Sequence, residues 1–249
     1  MSGHSKWATI KRKKAAKDSK RSDQFAKLLR AVEVAAKEGG GDPASNMTLA
    51  SAVEKAKASS VPSDNIDRAI KRASGADADS ARYEEITYEG YAPGGIALFI
   101  ETLTDNRNRT AQDVRHAFTR NGGNLGETGS TGWMFTRKGV IVVEKSAAPD
   151  DESLLERALE AGAEDLNDSE SSWEIVTDPS ALAAVRDALR AAGIEVFSAE
   201  LSMLPQSTIP VDGGEARRVL QLIDALEDLE DVQNVYANFD IPEEVMASL

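Results

Sequence analysis

Apolar positions follow two rhythms along this chain, and the change between them divides it. Over residues 22–74 they recur at helical spacing. Phe25, Leu28, Leu29, Val32 and Ala36 stand at i, i+3, i+4, i+7 and i+11, one stripe of an amphipathic helix. Gly39, Gly40 and Gly41 end it, because glycine adopts left-handed conformations at little cost. A second helix is predicted from Asn46 or Thr48, burying Leu49, Val53 and Ala56. A third follows Pro62, with Ser63 as its N-cap and Ile66, Ala69 and Ile70 on its inner face. Lys71 and Arg72 suit its C-terminal dipole. Residues 74–82 read as a linker.

Beyond the linker the period shortens. Residues 86–91 alternate, and 96–103 is almost continuously apolar, as a buried strand is. Ala92, Pro93, Gly94 and Gly95 form the turn between them. A helix over 109–121 turns Val114, Ala117 and Phe118 inward and stops at Gly122 and Gly123. Trp133, Met134 and Phe135 lead toward another strand. Further strands are predicted at 140–143, 173–176, 194–201 and 232–239. Helices are marked by Leu154, Leu155, Ala158 and Leu159, by Leu182, Val185 and Leu189 after the Asp178-Pro179 start, and by Val219, Ile223 and Leu226. Strands and helices mix without strict alternation, which predicts α+β sheets with helices on one face rather than a doubly wound fold.

Charge changes this picture more than composition does. The chain has a net charge of -13, yet residues 1–21 hold eight Lys or Arg and one acid. Residues 1–75 carry +8, 76–138 carry -2 and 139–249 carry -19. A polyanion repels an acidic protein, so cations gathered at one end mark the end that would touch it. If helical, the segment lines up Lys6, Lys13, Lys17 and Lys20, and Lys11, Arg12, Lys14 and Arg21 broaden the positive surface. Flexible ammonium groups suit phosphates, and Trp7 suits stacking on an unpaired base. The plainer alternative is a solvated basic tail anchored by Trp7 and Ile10.

Two further segments bear on binding. In the 104–110 loop, Arg107 and Arg109 can fork onto phosphates. Alternatively Asp105 or Asn108 caps the helix and the arginines pair with nearby acids. The glycines of 121–130 can present N–H groups to an anion, although a plain helix stop and turn is favoured. Enzyme signatures are absent. There is no cysteine, and His4 and His116 each lack a second ligand at metal-binding spacing, so neither a metal nor a cofactor is expected. His116 reads as a packed or surface histidine rather than a base. The acids Glu160, Glu164 and Asp165 read as solvated helix faces. No apolar run approaches the roughly 18 residues a membrane span needs. The basic N-terminus lacks the apolar core of a secretory signal, and its resemblance to an organelle transit peptide is the weaker reading. A cytoplasmic protein is expected.

The residues just described carry a resemblance. The stretches GHSKW at 3–7, KAAKDSKR at 14–21, GGGDP at 39–43, DNIDRAIKR at 64–72, YEGYAPGG at 88–95, TDNRNRTAQDVRHAF at 104–118 and NGGNLGETGS at 121–130 resemble, in order, the YebC/PmpR family. The likeness implies an N-terminal three-helix domain (1–80) and two ferredoxin-like α+β domains. One of these (81–136 with 206–249) is interrupted by the other (137–205). It also implies a nucleic-acid-binding regulator of gene expression, a DNA-binding transcriptional regulator acting on promoter DNA. The alternative within the family is a factor on ribosomal RNA or the ribosome that relieves stalling at proline-rich stretches. A protein partner for the acidic C-terminal half is the remaining expectation. Ser22-Asp23, Ala50 and Thr131-Gly132 depart from the family pattern, and the missing cation near residue 50 weakens any phosphate role for the second helix.

Overall fold

A computed structural model describes residues 21–74, 83–147, 151–169 and 172–241. The chain is α+β, with an N-terminal helical region followed by mainly antiparallel sheets. It forms two compact units. One holds the described residues of 21–128 with 217–235, and the other those of 129–216 with 236–241.

The first unit opens with α1 (Arg21–Gly39), α2 (Met47–Ala58) and α3 (Ser63–Ser74). Val32, Ala35, Ala36, Leu49, Ala56, Ile66 and Ala69 form their common core, with Phe25, Leu28, Leu29, Val53 and Ile70 packed around it. The predicted stripe is therefore the buried one. Asn46 is the clip between α1 and α2. Its side-chain oxygen accepts from Leu49 N at 3.0 Å and caps α2, while its amide donates to Ala35 O at 2.7 Å and Gly40 O at 2.8 Å. Gly39 lies so close that a Cβ there would meet the Asn46 side chain at 2.5 Å. Ser63 is not the cap expected of it. It already lies inside α3, whose first turn is closed by Pro62 O accepting from Asn65 N and Ile66 N.

The sheet of this unit begins with β1 (Glu84–Tyr91) and β2 (Ala97–Thr104), an antiparallel hairpin closed at Pro93–Gly95. Helix α4 (Arg107–Arg120) starts two residues earlier than its apolar period predicted, because Asn106 caps it. Val114, Ala117 and Phe118 face inward as expected. Strand β3 (Asn124–Leu125) is two residues long and pairs only with Gly90 and Tyr91.

The second unit contains β4 (Phe135–Glu144), α5 (Asp151–Glu160), β5 (Ala163–Asp168), β6 (Ser172–Thr177), α6 (Leu182–Ala191) and β7 (Ser198–Pro205). Their sheet order is β5-β6-β4-β7, wholly antiparallel, the ferredoxin-like arrangement of a βαββαβ chain. Ile141, Val143, Leu154, Ala158, Trp173, Ile175, Val185 and Leu189 form its core. Two expectations need correction here. Glu164 and Asp165 lie on strand β5, not on a helix face. The strand predicted at 194–201 is displaced to Ser198–Pro205, because Gly193, at φ 79°, and the residues after it make the turn. The helix marked by Leu154, Leu155, Ala158 and Leu159 is α5; Leu154 and Ala158 are its core residues, while Leu155 and Leu159 are 38% and 48% exposed.

The chain then adds β8 (Ile209–Pro210), α7 (Gly213–Glu227), β9 (Val232–Ala237) and β10 (Phe239–Asp240). β8 and β10 pair in parallel. β9 completes the first sheet in the order β3-β1-β2-β9.

Candidate functional site

The 104–110 loop is built around a carboxylate that lies 121 residues downstream of its last member. Thr104 ends β2 and is fully buried, and its hydroxyl accepts from Asn106 N at 2.9 Å. Asn106 accepts from Arg109 N at 3.1 Å, so it, and neither Asp105 nor Asn108, caps α4. The first turn of α4 thereby points Arg109 and Thr110 at Asp231, which immediately precedes β9. Arg109 donates to both Asp231 oxygens, at 3.0 and 2.9 Å, and to Asp105 at 2.8 Å. Thr110 donates to Asp231 Oδ2 at 2.7 Å, and Thr104 lies 3.2 Å from the same oxygen. From α1, Arg30 donates to Oδ1 at 3.0 Å. The Asp231 backbone carbonyl accepts from Leu103 N at 2.8 Å.

Asp231 is 4% exposed. Burial works to raise its pKa, but hydrogen bonds from Arg109, Thr110 and Thr104 outweigh that and hold the carboxyl below the ordinary aspartate range. For Arg30, burial works to lower the pKa. Glu230 above all, with Tyr83 and Asp231, overcomes it and keeps the guanidinium above its usual value. The Arg109 pKa is raised, chiefly by its hydrogen bonds to Asp231 and Asp105. Four donor groups, from Arg30, Thr104, Arg109 and Thr110, converge on the two Asp231 oxygens, so the carboxylate is engaged in the fold rather than free to act as a base. This cluster joins β2, α4, β9 and α1, and its chemistry is that of a clasp.

Arg107 behaves differently. It is 70% exposed, and its nearest acid is Glu84 at 3.7 Å. It stands at the mouth of a shallow groove between β1 and α4, lined also by Tyr88, Ala111, Arg115, Glu89 and Glu127. Burial pushes the Tyr88 hydroxyl above its usual pKa, with the Arg107 charge opposing.

The sequence candidates thus separate. Lys6, Trp7, Lys11, Arg12, Lys13, Lys14, Lys17 and Lys20 lie outside the described residues, and Arg21 opens α1. Arg109 is bound into the clasp and Arg107 opens onto the groove. The glycines of 121–130 serve the fold. Gly122 takes φ 72°, Gly123 N donates to Phe118 O, and Gly126 N donates to Glu89 O. A Cβ on Gly123 would meet Leu222 at 2.7 Å. His116 is exposed on α4. Among the described residues no group of three or more His, Asp or Glu could hold a metal ion, and no helix is long and apolar enough to cross a membrane. Arg30 and Asp231 carried no local sign in the sequence, since they acquire their roles from each other across about 200 residues of chain.

Against known proteins, two family models match nearly the whole chain. The TACO1/YebC protein N-terminal domain matches residues 5–76, and the TACO1/YebC second and third domain matches residues 83–239. The chain is 56% identical over 249 residues to a "Probable transcriptional regulatory protein" of Salinispora arenicola, covering 100% of both chains. It is 57% identical to one so named from Rubrobacter xylanophilus, covering 100% of this chain and 99% of that one. The crystal structure of a conserved hypothetical protein from Aquifex aeolicus is similar, with a TM-score of 0.82 and 44% identity, over 92% of this chain and 94% of that one.

Proposed function

The chain belongs to the TACO1/YebC family, and from that premise we propose that it is a nucleic-acid-binding regulator of gene expression, acting as a DNA-binding transcriptional regulator. The observation that carries this is the sorting of charge, eight cations against one acid in residues 1–21 of a chain whose net charge is -13. The names of its relatives support the regulatory half of the reading. Contact is made by Lys6, Lys11, Arg12, Lys13, Lys14, Lys17, Lys20 and Arg21, with Trp7 available to stack. Arg109 supports the scaffold, since its Nη2 bridges the carboxylates of Asp105 and Asp231. The protein works in the cytoplasm without enzymatic chemistry of its own. Its proposed domains are 1–80, 81–136 with 206–249, and 137–205, and the continuous β4 to β7 sheet supports the last.

A second reading, a translation factor on ribosomal RNA, is favoured by the charge of -19 over residues 139–249. So acidic a region is repelled by a duplex lying alongside it, whereas a local contact with one basic end avoids that repulsion. In-cell crosslinking of the tagged protein, with sequencing of co-purified DNA and RNA, separates the two. Enrichment at a few promoters is the expected result. Enrichment at defined ribosomal RNA positions instead makes it a translation factor, and enrichment of neither removes nucleic acid from the proposal. In vitro, neutralising Lys11, Arg12, Lys13 and Lys14 lowers the salt slope of duplex binding by about 0.9 for each phosphate that is no longer neutralised.

A further inference from the structure

Strand β1 is an edge strand over most of its length. Peptide groups of alternate residues point to opposite sides of an antiparallel strand. Ala92 N donates to Ile96 O and the Thr102 hydroxyl to Ile86 O, so the even-numbered residues turn their peptide groups toward β2. Gly126 N donates to Glu89 O, so the odd-numbered residues turn theirs toward β3. β3 pairs only with Gly90 and Tyr91. The N–H and C=O of Thr87 and Glu85 therefore have no strand beside them among the described residues. An exposed edge of this kind is a template for another extended chain.

The wall beside this edge is helix α4. Arg107, Ala111 and Arg115 stand at i, i+4 and i+8, so they form one stripe, and all three line the groove. The helix starts beside Glu84, where Arg107 lies 3.7 Å from that carboxylate, and runs along β1 toward Gly90, where a Cβ would meet Phe118 at 2.8 Å. The two guanidinium-bearing positions are about 12 Å apart along the axis. Four residues of extended chain cover about 13 Å, so side chains at i and i+4 of an added strand match that separation.

We infer that the groove between β1 and α4 binds an extended acidic peptide of a protein partner as an added strand on the β1 edge. Its pattern is acid, any, small apolar, any, acid, the two acids meeting Arg107 and Arg115 and the apolar residue meeting Ala111. A nucleic acid fits this groove less well. The alternating N–H and C=O groups of Glu85 and Thr87 match the donors and acceptors of a peptide backbone, whereas a phosphate chain offers acceptors only and meets the carbonyls unfavourably. Arg107 and Arg115 add charge complementarity at both ends of the groove. This inference stands independently of the nucleic-acid reading, which rests on the basic segment.

The test uses the full chain, 15N-labelled, and four probes. These are a nine-residue Thr-rich peptide centred on Asp-Thr-Val-Thr-Asp, its Lys-for-Asp counterpart, its N-methylated form with the edge-facing amides blocked, and a single-stranded RNA 12-mer. The expected result is binding of the acidic peptide with amide shifts at Thr87 and Glu85. N-methylation weakens it more than tenfold, and the Lys peptide does not compete. The surface variant R107Q/R115Q weakens it about fivefold, in line with two exposed ion pairs, with the circular dichroism of the fold unchanged. Absence of binding at about 1 mM peptide, or equal binding of the methylated peptide, overturns the inference. So does RNA binding that shifts Thr87 and is weakened by R107Q/R115Q, which would make the groove a nucleic-acid subsite.

Discussion

The two four-stranded sheets solve the same problem with different reach. In the second unit β4, β5, β6 and β7 follow one another within residues 135–205, and the sheet closes on neighbours in sequence. The first sheet is assembled from β1, β2 and β3, and then from β9, which arrives more than 100 residues later. A strand that returns from so far must be caught. Asp231, directly before β9, does this with its backbone carbonyl on β2 and its carboxylate on Arg109, Thr110, Thr104 and Arg30. The core of the local sheet, Ile141, Val143, Trp173 and Ile175, is made of paired central strands.

The largest expected effect is on the clasp. Asp231→Ala leaves Arg30 partly buried without its inner acid and removes the acceptor that Thr104 and Thr110 share, and costs about 2–4 kcal/mol in urea unfolding. Amide exchange in β2 and β9 accelerates, while that of β4 and β6 keeps its protection if the two sheets are independently closed. Loss of protection in all four strands together would show that the units unfold as one.

The same carboxylate gives the first sheet a pH signature. Its pKa is lower folded than unfolded, so its stabilisation is complete above the unfolded value of about 4 and is lost as the pH falls through the native one. The stability difference between wild type and Asp231→Asn is expected to be flat from pH 7 to 5 and to shrink below about pH 4. A difference that widens with acid contradicts the assignment.

The second sheet is broken by volume rather than by charge. A Cβ on Gly139 would collide with Thr177 Oγ1 and meet Leu182 Cβ at 2.9 Å, across the β4–β6 pair and α6. Gly139→Val is expected to cost about 1–3 kcal/mol, with exchange accelerating in β4 and β6 first. Within the helical bundle, Asn46→Ala removes one cap and two hydrogen bonds to Ala35 and Gly40, and costs about 1–2 kcal/mol by thermal melting. The smallest effect is Leu159→Gln on the outer face of α5, within about 0.5 kcal/mol of wild type because the side chain is already half in water.

Much of this molecule could be read from local pattern. The stripe on α1, the capping position near Asn46, the β1–β2 hairpin and the inward faces of α4 and α6 follow from periodicity and from where Gly, Pro and Asn fall. Those preferences act within a turn or two of chain. They mislead where a segment is short or polar. Strand β5 escapes them because its charged residues, Glu164 and Asp165, hide the alternation.

The sequence by itself determined the α+β class, the sorting of charge toward one end and the family resemblance, because composition and local order are enough to specify them. Only the tertiary structure decided that Arg107 and Arg109, two residues apart, have different fates. Their different positions around the helix separate their directions, and what each meets, a buried Asp231 or an open strand edge, depends on segments that chain order does not place beside them.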